Sequence, residues 1–284
     1  MDHRAVRSPL FCDVALAERV ERAEVELIAA SAEAARSRRG VAEGFTIPVA
    51  GGVASFIEAD SPLNKVAGLG FAGSPSAAEL DEVEHAFAAR GAAVQAEIAT
   101  LADPALGGLL ADRGYRLVGF ESVLGLALGD YEAGPAPDGV EVRPSGDGEF
   151  DAWLDVVAGA VLHPDVQGVP AHEDFPRDVL VSAMRDMAGA GVRRFAALRG
   201  ATLAGGASMR TAGGVAQLTG AATTPEHRRH GVQTALLAAR LADAAASGCD
   251  IAVVTTQPGS RSQQNVQRQG FDLLYTRAVL VKES

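Results

Sequence analysis

Aromatic residues are scarce in this chain: one Trp, three Tyr and ten Phe in 284 residues. Its cores must therefore be aliphatic. Cysteine is nearly absent. Cys12 and Cys249 are too few for a disulfide framework or a cysteine metal cluster, so no metal is expected. Positive charge is in deficit: 25 Lys and Arg stand against 36 Asp and Glu, a net charge of −11. That balance argues against nucleic acid as a partner, because a binding stripe must be basic. No stretch approaches ~18 consecutive apolar residues, so no membrane span is expected. Asp2, His3, Arg4 and Arg7 are followed by no apolar run of the signal-peptide kind. The expectation is a cytoplasmic protein.

What is there is globular: 48% hydrophobic residues, with abundant alanine and glycine. The length suits two domains or one large one. Charge is uneven along it. Residues 1–137 hold 11 Lys and Arg against 20 Asp and Glu; residues 138–284 hold 14 against 16.

The organising stretch lies in that second, less acidic half. Gln217 to Leu237 reads as a strand, a tight loop and the start of a helix. Thr224-Pro225 ends the strand, since proline removes a ladder donor. Arg228, Arg229, His230 and Gly231 fill a short basic loop. Ala235, Leu236, Ala239 and Leu241 then form a helical apolar stripe. A helix opening out of such a loop aims its free N–H groups and positive dipole end at what sits there. Arginines add charge-assisted bonds. The chemistry fits phosphate or pyrophosphate. An arginine-rich turn that merely caps a helix would read the same.

The run Arg228-Arg229-His230-Gly231-Val232-Gln233 resembles the acyl-CoA pyrophosphate loop of the GNAT acetyltransferases, Gln/Arg-x-x-Gly-x-Gly/Ala. Gln233 departs from it, where a small residue is usual. The flanking Thr223 to His227 and Thr234 to Leu237 also match that family's surroundings. From about residue 138 the expected order also resembles a GNAT domain. It runs strand 140–143, helices 149–161 and 178–187, strands 194–198, 202–209 and 215–223, helix 232–246, strand 251–255, helix 261–269 and strand 271–281. Gly270-Phe271 after the last helix is a further match.

The first half repeats the second. Leu109 to Leu124 lies over Asn265 to Leu280, with Gly114 on Gly270, Tyr115 on Phe271, Leu117 on Leu273 and Val123 on Val279. A shorter stretch between Leu69 and Gly91 falls where the basic loop should be. Expected elements here are helix 13–39, strands 45–49, 53–58 and 63–71, helix 74–89 with Ser74 as N-cap and Pro75 at its first position, strand 94–98, helix 104–113 and strand 115–128. The expected fold is α/β (α+β): two tandem GNAT-like domains, each a mixed, mostly antiparallel sheet flanked by helices. Residues 1–132 would be a degenerate copy without a phosphate loop, and residues 138–284 the acyl-CoA-binding copy. Asp130 to Asp138 reads as the linker.

The resemblance implies acetyl-CoA as cosubstrate and a primary amine of a small molecule or peptide as acceptor. It implies cofactor contacts from the backbone at Ala221 and Thr223, from Arg228, Arg229, His230, Gly231, Gln233 and Thr234 on pyrophosphate, and from Asn265 on pantetheine. CoA would lie in a V between the strand ending at Thr223 and strand 251–255. Catalytic residues stay unassigned. Val266 stands where many members carry the acidic tyrosine, and residues 217–223 contain no carboxylate. Tyr275 is a substitute acid or a buried strand tyrosine. His163, Asp165, His172, Glu173 and Asp174 line the amine site or a solvated loop. The N-terminal half either closes the acceptor pocket or forms a dimerisation surface. Two other functions stay open: a non-catalytic acyl-CoA-binding or interaction protein, and an NAD(P)-binding enzyme through Gly68 to Gly73, which fits G-x-G-x-x-G.

Overall fold

The computed structural model describes residues 8–40, 44–129, 131–134, 137–163, 168–169 and 174–284. Helix α1 (Val14–Arg39) opens on the Asp13 side chain, which accepts from the Leu16 N–H, and closes on left-handed Gly40. Strands β1 (Phe45–Val49) and β2 (Gly52–Phe56) form a hairpin, followed by β3 (Lys65–Ala67). Helix α2 (Ala77–Ala88), strand β4 (Val94–Ala99), helix α3 (Ala105–Asp112) and strand β5 (Arg116–Ala127) complete the first half. The second half runs β6 (Glu141–Pro144), α4 (Phe150–Val161), α5 (Arg177–Gly189), β7 (Arg193–Arg199), β8 (Thr202–Ala212), β9 (Val215–Gln217), β10 (Ala221–Thr223), α6 (Val232–Ala246), β11 (Ile251–Thr256), α7 (Arg261–Arg268) and β12 (Asp272–Lys282).

Three expectations need correction. The cap of α2 is Ser76, not Ser74: its hydroxyl accepts from the Glu79 N–H while the Glu79 carboxylate takes the Ser76 N–H. That reciprocal box outweighs a proline at the first helical position. The third strand keeps only Lys65–Ala67, because Gly68 and Gly70 turn to positive φ. The strand foreseen over 215–223 is two, β9 and β10, interrupted at residues 218–220.

The two halves share one sheet, ordered β1-β2-β3-β4-β12-β5-β11-β9-β8-β7-β6, with β10 on β8. Each half has given its last strand to the other. β12 lies between β4 and β5, and β5 lies between β12 and β11, all antiparallel. Outside them β3 runs parallel to β4, and β9 parallel to β11. The centre is thus pseudo-twofold. Its axis passes the pair Glu121–Arg277, flanked by Ser122–Thr276 and Phe120–Ala278. The sequence repeat underlies it: Gly114 and Gly270 both take positive φ, at 90° and 93°, after α3 and α7. The exchange makes each half's core depend on the other's last strand.

Helices cover the second half's sheet on opposite faces. Gly206 lies under Trp153 and Val157 of α4, and Gly205 under Val232 of α6. A methyl at Gly206 would overlap the Trp153 indole, whose Nε1 donates to the Phe195 carbonyl at 2.9 Å. Gly206→Ala is therefore expected to cost about 1–3 kcal/mol by overpacking. Urea unfolding measures it, and a loss under about 0.5 kcal/mol would show that α4 yields freely.

Candidate functional site

The cleft grows out of the broken strand. β9 pairs with β11 through Ile251–Val215, Ala252–Ala216 and Val253–Gln217, and the Leu218 N–H donates to the Val253 carbonyl at 2.8 Å. There the pairing stops. β10 pairs only with β8, so it diverges from residues 254–256 of β11. The break is braced from behind by Arg240 of α6. Its buried guanidinium donates to the Ser208 and Thr219 carbonyls at 3.1 and 3.2 Å. Burial pushes Arg240 down to about 10.

Residues 224–231 then lead into α6. Pro225–His227 is a 3-10 turn, Arg229 takes φ +64° and Gly231 φ +78°. Gly231 is the N-cap of α6 and no side chain caps that end. The first-turn N–H groups are thus left for another acceptor, at the positive end of the helix. Arg228 ties the loop down: Nε donates to the Thr223 carbonyl at 3.4 Å, and Nη2 to the His163 carbonyl.

The β10 side of the opening, the loop and α7 line one cleft of about 790 Å³. Every expected cofactor residue borders it except His230: Ala221, Thr223, Arg228, Arg229, Gly231, Gln233, Thr234 and Asn265. His230 is exposed beside it. Thr223 Oγ1 is buried without a hydrogen-bond partner, an acceptor and donor left for a guest. A long polar ligand fits: uncapped N–H groups and arginines at one end, a free strand edge at the other.

Residues missed in the sequence border it too. Ser260 caps α7, accepting from the Gln263 N–H, and Arg261, Ser262 and Arg268 face the cleft from that helix. The signal was present: Ser260-x-x-Gln263 with Arg261 inside it and Arg268 beyond it. Pro137, from the linker region, packs against Gly231, where a Cβ would lie 2.6 Å from the proline Cβ.

The catalytic candidates fare differently. Val266, at the family's acid position, is buried in the core of the C-terminal half. Tyr275 is buried and donates to Glu21 Oε1 at 2.6 Å; burial and Glu21 push its hydroxyl far above the usual range. It is locked on α1. His163 is exposed, with Nδ1 2.8 Å from the Gly159 carbonyl, and Asp174 is exposed. Asp165, His172 and Glu173 lie outside the described residues. The glycines at 68–73 form no phosphate cradle. α2 starts later, at Ala77, and a Cβ at Gly70 would meet Leu106 at 2.5 Å. Among the described residues no group of three His, Cys, Asp or Glu is placed to hold a metal ion. No helix there is long and apolar enough to cross a membrane.

Residues 162–271, which contain the opening, the loop and α7, match the model of the Acetyltransferase (GNAT) family. They carry a GNAT domain. No curated protein sequence matches the chain. Among solved structures it is similar to a GCN5-related N-acetyltransferase from Kribbella flavida, at 20% identity and TM-score 0.60, over 90% of this chain and 96% of that one. It is also similar to a tandem GNAT protein from the clavulanic acid biosynthesis pathway, at 17% identity and TM-score 0.58, over 82% of this chain and 78% of that one. At such identities these likenesses speak for the fold. Residues 228–233 of the matched segment lie at the N-terminus of α6.

Proposed function

We propose that the protein transfers an acetyl group from acetyl-CoA to a primary amine of a small molecule or peptide, through the GNAT copy at residues 138–284. Residues 1–132 are the copy without a phosphate loop. One observation carries this reading: the uncapped N-terminus of α6 and the free edge of β10 share one cleft. Pyrophosphate would sit on the N–H groups of residues 232–234 beside Arg228 and Arg229. Pantetheine would follow the unpaired edge of β10 past Ala221 and Thr223, whose backbone would polarise the thioester carbonyl. Such a site lowers the barrier by aligning amine and thioester and by stabilising the developing oxyanion.

Amine-dependent thiol release from acetyl-CoA, with the acetylated product seen by mass spectrometry across an amine panel, tests the proposal. Product with one amine supports it. A folded protein that binds acetyl-CoA yet acetylates nothing favours the second reading, a non-catalytic acyl-CoA-binding protein. Buried Val266 at the acid position is the observation behind that second reading.

A further inference from the structure

A row of charged side chains crosses the face of the shared sheet under α1. Lys65 of β3 donates to Glu97 of β4 at 2.5 Å, and Arg277 Nε of β12 donates to Glu21 of α1 at 2.8 Å. Arg277 Nη1 lies 3.5 Å from Glu97 Oε2 and 3.6 Å from Glu121 Oε2 of β5. Glu24, one turn along α1, accepts from Gln217 Nε2 of β9 at 3.1 Å. Four carboxylates thus face two cations. Glu97 Oε2, Glu121 Oε2 and Gln217 Oε1 are buried with no hydrogen-bond partner. Glu97 and Gln217 are themselves 1% and 5% exposed. All three atoms are acceptors, two of them only at ion-pair distance from Arg277, and a primary ammonium brings donors and positive charge to such a carboxylate-rich wall.

The row brackets the opening of the GNAT domain. Gln217 pairs with Val253 at the last position before β10 diverges. At the other end Thr255 pairs with Val123 and Thr256 with Ser122, so Glu121 is the next residue of β5, beside the end of β11. A thioester reaching through the opening from the α6 side would emerge here. The side chain of Glu121 keeps 20% of its surface open.

We propose that Glu121 and Glu24, both from the N-terminal half, form the amine-receiving wall of the active site. The proposal rests on the acetyl-CoA reading above. Glu24, held by Gln217, positions the ammonium, and Glu121 takes its proton. The neutral nitrogen then attacks the thioester carbonyl. The C–N bond forms, the C–S bond breaks, and the nitrogen's second proton passes to the departing thiolate. Glu121 returns its proton to solvent. The degenerate copy thereby supplies the carboxylate that residues 217–223 lack.

The electrostatics agree. Burial, then Glu97, pushes Glu121 up to about 7 against the pull of Lys65 and Arg277. Glu24 is also raised, by burial and by Glu97 and Glu21, against Arg277 and Lys65. Glu26 and Arg210 pair at 3.8 Å nearby. A base near neutrality suits an ammonium donor. It must be ionised to act, so the rate is expected to rise with pH through about 7.

Calorimetric titration with 1,4-diaminobutane and with Nα-acetyl-lysine amide, on protein saturated with CoA, is the test. Wild type is expected to bind at least one probe. Glu121→Gln and Glu24→Gln should each weaken that binding by about 10-fold or more. Their acetyl-CoA affinity should be unchanged, which also shows that they fold. Glu121→Gln should in addition flatten the rise of kcat/KM near pH 7, which a merely structural role would leave in place. Unchanged probe affinity in both variants, or no probe binding by a wild type that takes acetyl-CoA, overturns the proposal. Failure to bind acetyl-CoA would strike the underlying reading instead.

Discussion

Arg277→Met is expected to lose about 3–5 kcal/mol of stability at pH 7, because it strips a buried charge from its partners. Arg277 is 3% exposed, sits at the pseudo-twofold centre and touches Glu21, Glu97 and Glu121. Without it those carboxylates share only Lys65, and the Tyr275 hydroxyl is left as the donor on Glu21. β12 is also the strand that joins the halves, so the loss falls on both cores. The pH dependence has a sign. Glu121 is held up at about 7, so it takes a proton as pH falls below that value. Glu24 is raised in the same direction. Protonation removes repulsion the variant can no longer neutralise, so its deficit relative to wild type should shrink between pH 8 and pH 6. Urea unfolding at these two pH values measures it. A deficit below about 1 kcal/mol, or one that grows as pH falls, would contradict this account of the cluster.

Arg228→Glu combined with Gly231→Tyr is expected to weaken acetyl-CoA binding by about 100-fold or more, as replacing a charge-assisted contact by a repelling carboxylate in a displaced loop implies. The first change sets a carboxylate where a pyrophosphate would lie and releases the Thr223 and His163 carbonyls. The second forces a side chain onto φ +78° and against Pro137. Left-handed backbone costs an L-residue about 1–2 kcal/mol, which the loop relieves by moving away from its present shape. Circular dichroism on the variant separates a lost site from a lost fold. Affinity within about 3-fold of wild type would remove the loop from cofactor binding.

Much of this was written locally in the chain. Asp13 and Gly40 bound α1 as their side-chain and φ preferences dictate. Pro225, Gly231 and the stripe from Ala235 fix the turn and α6. The repeat showed in Gly114 and Gly270 because each helix end needs the same left-handed residue. What escaped was tertiary. Residues 215–223 are uniformly small and β-tolerant, so nothing local marks the break at 218–220. The chain leaves β11 after Gln217, where Arg240 reaches the Thr219 carbonyl, while β11 continues to Thr256 on β5 alone. The exchange of β5 and β12 was hidden by the repeat itself, since two alike strands serve either sheet. Glu121 and Arg277 were the available signal: opposite charges at equivalent positions of two central strands. The acceptor wall was unreadable for a related reason, because its carboxylates lie in the other half, on α1 and β5.

On the reading proposed above, the α6 loop and the free edge of β10 form one acetyl-CoA site. Isothermal titration of the wild-type chain with acetyl-CoA, beside the Arg228→Glu, Gly231→Tyr variant, tests it most directly. Saturable binding at one site per chain, abolished in a folded double variant, is the predicted result. A folded wild type that takes up no acetyl-CoA would contradict it.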